Sequence, residues 1–293
     1  MRSETEIQNL ILDFAKQDSR IRAVLLNGSK ANPSIAPDRF QDFDVIFIVE
    51  NLESFTSDHS WVNIFGDRII MQLPDEMTFG DEPTGQAKNS FAYLMLFEDK
   101  NRIDLTLLSK QKLTSDFKLD SQTILWLDKD HVFSKLPPSS DKDYYIKKPT
   151  EKEFLDTCNE FWWVSTYVAK GLLRNEIIYA KQMLESVVRP MFMKAIEWKI
   201  GIENEFSVSA GKAGKFLKAY LSSDFYETIL MTYSNSELEE NWKSLFLMTE
   251  IFQATSNFIA DKLKFGINKT EAQKTISYLK DRYNEQKISR SIL

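Results

Sequence analysis

The alternation of apolar and polar positions changes character midway along the chain. Near the start, Ile7, Leu10, Ile11 and Phe14 recur every three or four residues, which predicts an amphipathic helix. Short runs rich in β-branched and aromatic residues follow at 23–26, 45–49, 68–72, 91–97 and 103–108, and these predict strands. The last two, joined by Glu98-Asp99-Lys100-Asn101, read as a hairpin. Residues 79–89, FGDEPTGQAKN, read as a loop.

From residue 150 the period becomes helical. Thr150 and Glu153 have capping-box spacing, and Phe154, Cys158, Phe161, Ser165, Val168 and Leu172 follow on one stripe. A second run places Ile177, Ala180, Leu184, Val187, Met191 and Ala195 on one face, with Pro190 expected to kink or break it. Further helices are predicted at 212–221, 224–233, 238–263 and 270–283, giving a bundle of five or six. Seven of the eight prolines lie at or before Pro149, so short punctuated elements belong to the first half and long helices to the second. The stretch KLPPSSDKDYYIKKPT, 135–150, reads as the linker between them. The expected fold class is therefore α+β, with a mixed-sheet domain over residues 1–145 and a helical domain over 146–293.

Composition narrows this picture modestly. Hydrophobic residues make up 43% and charged residues 27%, an ordinary globular balance. No apolar run approaches the roughly 20 residues of a membrane span, so no membrane partner is expected. The charged start MRSETEIQNL carries no signal-peptide core, and the single cysteine, Cys158, suits a reducing cytoplasm. The formal net charge of −6 disfavours nucleic acid as a partner and is compatible with a cationic one.

The candidate chemistry starts in LLNGSKANPSIAPDRFQDFDVIFIV, residues 25–49. Asp42 and Asp44 are two apart at the mouth of a strand, so both project to one face, spaced like oxygen donors around one hard cation. Asp104, in RIDLTLL, is a third carboxylate inside an apolar run, where a charge is costly unless paired or metal-bound. Three such groups are enough for a two-ion Mg²⁺ site of the kind that clamps a transferring phosphoryl group. Gly28 lets the backbone approach a ligand closely, Ser29 adds a hydroxyl, and Lys30 adds a nearby positive charge.

An apolar-Gly-Ser turn, Asp-x-Asp in a strand and a third Asp in a later strand together resemble the polymerase-β-like nucleotidyltransferase superfamily. The stretches LLNGSKANPSIAPDRFQDFDVIFIV, RIIMQLPDEM, LFEDKNRIDLTLL, CNEFWWVSTYVAKGLLRNEI and GKAGKFLKAYL resemble, across almost the whole chain, the aminoglycoside 6-adenylyltransferases, the streptomycin-modifying enzymes. The resemblance implies a palm-type domain completed by a helical one, with ATP and Mg²⁺ between them and the aminoglycoside in the same cleft. It implies transfer of AMP from Mg·ATP to an aminoglycoside hydroxyl with release of pyrophosphate. Lys30 stands where the family pattern implies arginine, and Trp163 follows an aromatic expected to be single at Trp162.

Asp104 is the expected general base beside the metal ligands Asp42 and Asp44, with a helical-domain carboxylate such as Glu160 as the alternative. Lys170 and Arg174, four apart, could reach a triphosphate or could form a solvated basic face. Lys212 and Lys215, where SAGKAGKF enters a helix, suit phosphate through helix-end donors. Glu160, Trp162 and Trp163 suit a polycationic sugar, although at ~100° per residue Phe161, Trp162 and Trp163 cannot all face one core. His59 and His131 lack metal-ligand spacing and read as surface or loop residues, and Cys158 reads as core. Two other readings stay open: a nucleotidyltransferase acting on another antibiotic or a protein, and a non-catalytic nucleotide-binding regulatory module.

Overall fold

The computed structural model describes residues 1–78, 89–113, 118–133 and 135–291, with the side chains of 289–291 left aside. Contacts divide it into two compact units, Met1–Asp143 and Tyr144–Leu293.

The first unit opens with α1 (Glu4–Gln17), started by a capping box in which Ser3 and Glu6 satisfy each other's backbone donors. Its buried residues Ile7, Ile11 and Ala15 lie against one face of a six-stranded sheet. The strands are β1 (Ile21–Asn27), β2 (Phe43–Val49), β3 (Arg68–Gln72), β4 (Ser90–Phe97), β5 (Arg102–Ser109) and β6 (Ile124–Asp128), in the order β3-β4-β5-β2-β1-β6. Among the described residues only β2 and β5 pair in parallel; every other neighbouring pair is antiparallel. A single-turn helix, α2 (Glu53–Thr56), follows β2.

Strand alternation sorts the side chains into two faces. Val24, Leu26, Val45, Phe47, Ile103, Leu105 and Leu107 join the core under α1. Their neighbours Leu25, Ile48 and Leu108 form a much smaller cluster on the other face. The residues on that lesser face, continued to the strand ends, include Asp44 and Asp104.

Five of the six strands fall where apolar runs predict them. β6, in SQTILWLDKD, does not announce itself, because its five residues are all only partly buried or exposed and show no clean alternation. The hairpin turn over 98–101 closes with Lys100 in a left-handed conformation, its N–H donating to Phe97 O. The loop expected at 79–89 lies, except for Asn89, outside the described residues.

In the second unit, α3 (Glu151–Leu173) starts at the expected Thr150–Glu153 capping box. α4 (Ile177–Met183) and α5 (Arg189–Glu203) are separated by a π-helical turn, Leu184–Val188, immediately before Pro190. That turn inserts a residue into the helical period. The buried face therefore passes from Leu184 to Val188 and Phe192, both fully buried, while the expected Val187 and Met191 are only partly covered. α6 (Leu217–Tyr220), α7 (Ser223–Leu230), α8 (Leu238–Leu263) and α9 (Lys269–Ser291) complete the unit. The helix expected over 212–221 is broken: Lys212–Gly214 is a 3₁₀ turn with Ala213 at positive φ, and only the short α6 follows. No helix among the described residues is long and apolar enough to cross a membrane.

Candidate active site

At the end of β1 the chain leaves the sheet through the 3₁₀ turn Gly28–Ala31. Gly28 adopts φ +72°, and a Cβ there would lie 2.0 Å from Asp44 Oδ2. The turn and the carboxylate are therefore in such close contact that only glycine fits. Gln41 Nε2 donates to Ser29 O at 3.2 Å, tying the loop before β2 to the same turn.

The pairing registers assemble the rest. Asn27 on β1 is opposite Asp44 on β2, and Asp44 is opposite Asp104 on β5. Adjacent strands are about 4.8 Å apart, so Asn27, Asp44 and Asp104 form a polar row across three strands. Asp42, two residues before Asp44, extends it on the same face. Burial pushes the Asp42 carboxyl above the ordinary aspartate value, and the neighbouring Asp104 adds to this against the pull of Arg102.

Arg102 is the group that sequence reasoning passed over. It is two residues before Asp104 on β5, hence on the same face, and grips that carboxylate in a two-pronged pair, Nε to Oδ1 at 2.8 Å and an Nη to Oδ2 at 2.7 Å. Its Nε is also 3.6 Å from Asp42 Oδ2. The hydrogen bonds it donates to Asp104 raise the Arg102 pKa further, with the charges of Asp42 and Asp44 acting the same way. The signal was present in the sequence, as opposite charges two apart in a strand. Asn27 was passed over too: its Oδ1 is a buried acceptor with no donor among the described residues.

The three aspartates are thus neighbours, but they do not form a ready-made metal cage. No three His, Cys, Asp or Glu side chains among the described residues could together hold an ion. Of the three expected carboxylates, Asp104 is engaged by Arg102. The donor chemistry nonetheless fits Mg²⁺, which binds through one or two carboxylates completed by substrate phosphates and water. Asp42 and Asp44 are such a pair, and the guanidinium drawn to this corner marks it as attractive to cations.

Lys30 lies beside the same corner, where its charge draws the Asp42 carboxyl down against the upward push of burial. Its ammonium lies 4.4 Å from the Phe43 ring centroid and 3.4 Å from Glu4 Oε2. A cavity of about 640 Å³, lined by Glu50, Asp75, Ser90, Phe91 and Ser109 among others, is at the opposite end of β2 and β5 from the aspartates. His59 is no incidental surface residue: it joins Tyr93 Oη at 2.9 Å and Glu76 at 3.1 Å, on the Phe91 ring.

In the helical unit, Trp162 is core, buried edge-on against Phe161 and Phe252. Trp163 is 60% exposed, and its Nε1 donates to Tyr167 Oη at 2.9 Å. At ~100° per residue, Glu160, Trp163, Tyr167 and Lys170 fall within one narrow stripe of α3, and all four are exposed. Lys170 occupies the last turn of α3, where a cation also complements the helix dipole. Lys212 and Lys215 are both exposed in the turn before α6, and Lys215 Nζ lies 5.0 Å from the Phe216 ring centroid. Cys158 is buried as expected, and burial pushes its thiol up to about 12.

With this geometry in place, comparison with known proteins gives a consistent result. A sequence model of the streptomycin adenylyltransferase family matches residues 1–282. The chain is 43% identical over 266 residues to an aminoglycoside 6-adenylyltransferase of Bacillus subtilis (strain 168), covering 90% of this chain and 93% of that protein. It is 36% identical over 261 residues to an enzyme of the same name from Staphylococcus aureus, covering 89% and 92%. A crystal structure of an aminoglycoside 6-adenyltransferase from Bacillus subtilis aligns over 97% of this chain and 99% of that one, at 38% identity and a TM-score of 0.47.

Proposed function

The chain belongs to the streptomycin adenylyltransferase family, and from that premise we propose that it transfers AMP from Mg·ATP to the 6-hydroxyl of a streptomycin-type aminoglycoside. The observation that supports this most is the register that sets Asp44 beside Asp104, next to the Gly28–Ser29 turn.

Asp42 and Asp44 would hold the metal together with the triphosphate, while Ser29 and the backbone N–H groups of its turn would receive phosphate oxygens. A metal held by these residues would supply neutralisation of phosphate charge and a lowered pKa for the attacking hydroxyl. Asp104 accepts that hydroxyl's proton. The acceptor oxygen forms a bond to the α-phosphorus, and the α–β bridging bond breaks with its electron pair leaving on pyrophosphate. Glu160 and the exposed face of Trp163 suit a cationic sugar by ion pairing and cation–π contact, and Lys170, Lys212 and Lys215 carry charge suited to the triphosphate. An ATP-dependent reaction of this kind belongs in the cytoplasm.

The test is pyrophosphate release from ATP across a panel of aminoglycosides, with mass spectrometry of the products. Release with streptomycin, accompanied by an adenylylated product, is the expected result. Release with a different antibiotic only would move the assignment to that acceptor. No release with any aminoglycoside, from protein that binds ATP, would leave the regulatory-module reading in its place.

A further inference from the structure

Arg102 carries an inference beyond that reaction, though it rests on the same metal–nucleotide reading. Two carboxylates at this end of the sheet meet one guanidinium, which grips Asp104 with two bonds and approaches Asp42, while the charge of Asp44 acts on it from nearby. This is the corner to which the metal is assigned, and a cation is already there as a side chain. An arginine–carboxylate fork is directional and strong for a surface pair, yet Arg102 keeps 43% of its side chain exposed, so it is free to swing away.

We propose that Arg102 is the site's internal counter-cation: it neutralises Asp42, Asp44 and Asp104 in the nucleotide-free chain and competes directly with a divalent ion for them. Two consequences follow. The free chain has little affinity for a bare divalent ion, because binding must displace an arginine. The metal enters only with ATP, whose phosphates supply both further oxygen ligands and a new partner for the released guanidinium. Asp104, once uncovered, becomes available as the base. Arg102 is accordingly a positioning residue that couples nucleotide loading to exposure of the base.

The measurement is Mn²⁺ binding to the full-length, nucleotide-free chain, followed by electron paramagnetic resonance of the free ion. Wild type should bind Mn²⁺ weakly. R102Q should bind about tenfold or more tightly, as expected for removing a unit charge that neighbours the same carboxylates in a partly screened site. R102K, which keeps the charge but loses the fork, should fall between them, and D42N or D44N in the R102Q background should abolish the gain. The first-residue position of Arg102 on β5 and its exposure favour folding of both variants, which circular dichroism checks. If R102Q fails to fold, the comparison of R102K with wild type decides by the same criterion. Mn²⁺ affinity unchanged or weakened in a folded variant overturns the proposal. Failure of the parent reading looks different: neither wild type nor variant would bind Mn²⁺ even with ATP present.

Discussion

Replacing Gly28 by alanine tests the contact between the Gly28–Ala31 turn and Asp44 directly. Gly28 has φ +72°, a left-handed conformation that costs a non-glycine residue about 1–2 kcal/mol. The added methyl would also lie 2.0 Å from Asp44 Oδ2 and 2.7 Å from Cγ, against an ordinary contact of 3.4 Å or more. The carboxylate must therefore retreat by more than about 1 Å. A misplacement of ~1 Å at a catalytic centre can cost about 10²-fold in rate, equivalent to about 2.7 kcal/mol of barrier. The backbone strain alone should lower the melting temperature of the first unit by about 3–8 °C. The assay is kcat/KM for pyrophosphate release, measured well below the melting transition and beside a G66A control. Gly66, at φ +116°, has only Arg2 nearby, at 3.4 Å or beyond. Alanine there carries about 1–3 kcal/mol of backbone strain without touching the aspartates. G66A should thus be destabilised and fully active at permissive temperature, and G28A destabilised and nearly inactive. G28A activity within about threefold of wild type would refute the link between this turn and Asp44.

Three further outcomes follow from the structure. W163A should weaken acceptor binding, raising KM for the aminoglycoside with the melting temperature unchanged, whereas W162A should lose about 3–5 kcal/mol of stability by emptying core volume against Phe252; calorimetry and steady-state kinetics separate the two. Cys158, with burial holding its thiol near 12, should react with a disulfide reagent at pH 8 only after the chain is unfolded, and rapid labelling of native protein would contradict its place in the core. Asp99, held well below the ordinary carboxylate range by hydrogen bonds from Arg2 and Asn101 that outweigh its partial burial, contributes stability that is fully present above about pH 4. That contribution is lost as pH falls below that value, so acid titration of D99N should show a shallower fall in stability between about pH 4 and pH 2 than wild type; parallel curves would deny the linkage.

Much of the fold was legible because burial imposes period on sequence, and the exceptions have physical causes. α8 could be read to the residue, Leu238–Leu263, since its apolar stripe runs unbroken. The α4–α5 segment misled by one position because a π-helical turn is invisible to a 3.6-residue count. Trp162 belongs inside and Trp163 outside because α3 is covered on a broad side, from Thr157 and Cys158 round to Ala169. In the candidate site, the residue types were legible while their pairing was not. Asp42, Asp44 and Asp104 stood out as charges in apolar runs, but nothing in a single strand reveals which neighbour it will have or in which register. Arg102 escaped attention for a related reason: its meaning depends on the faces that three strands share.

The parallel pairing of β2 with β5 also has a consequence for how the chain comes into being. Asp44 and Asp104 are separated by some sixty positions, and between them lie β3, β4 and their connections. A parallel neighbour cannot be reached by a tight turn, so the intervening strands must be made before the pair can close. A nascent chain leaving the ribosome therefore carries the Gly28 turn and the first two aspartates well before it carries Asp104. Interrupted or clipped chains ending before β5 would retain that turn without the partner strand. The three aspartates come together only in a late step, when β5 closes against β2.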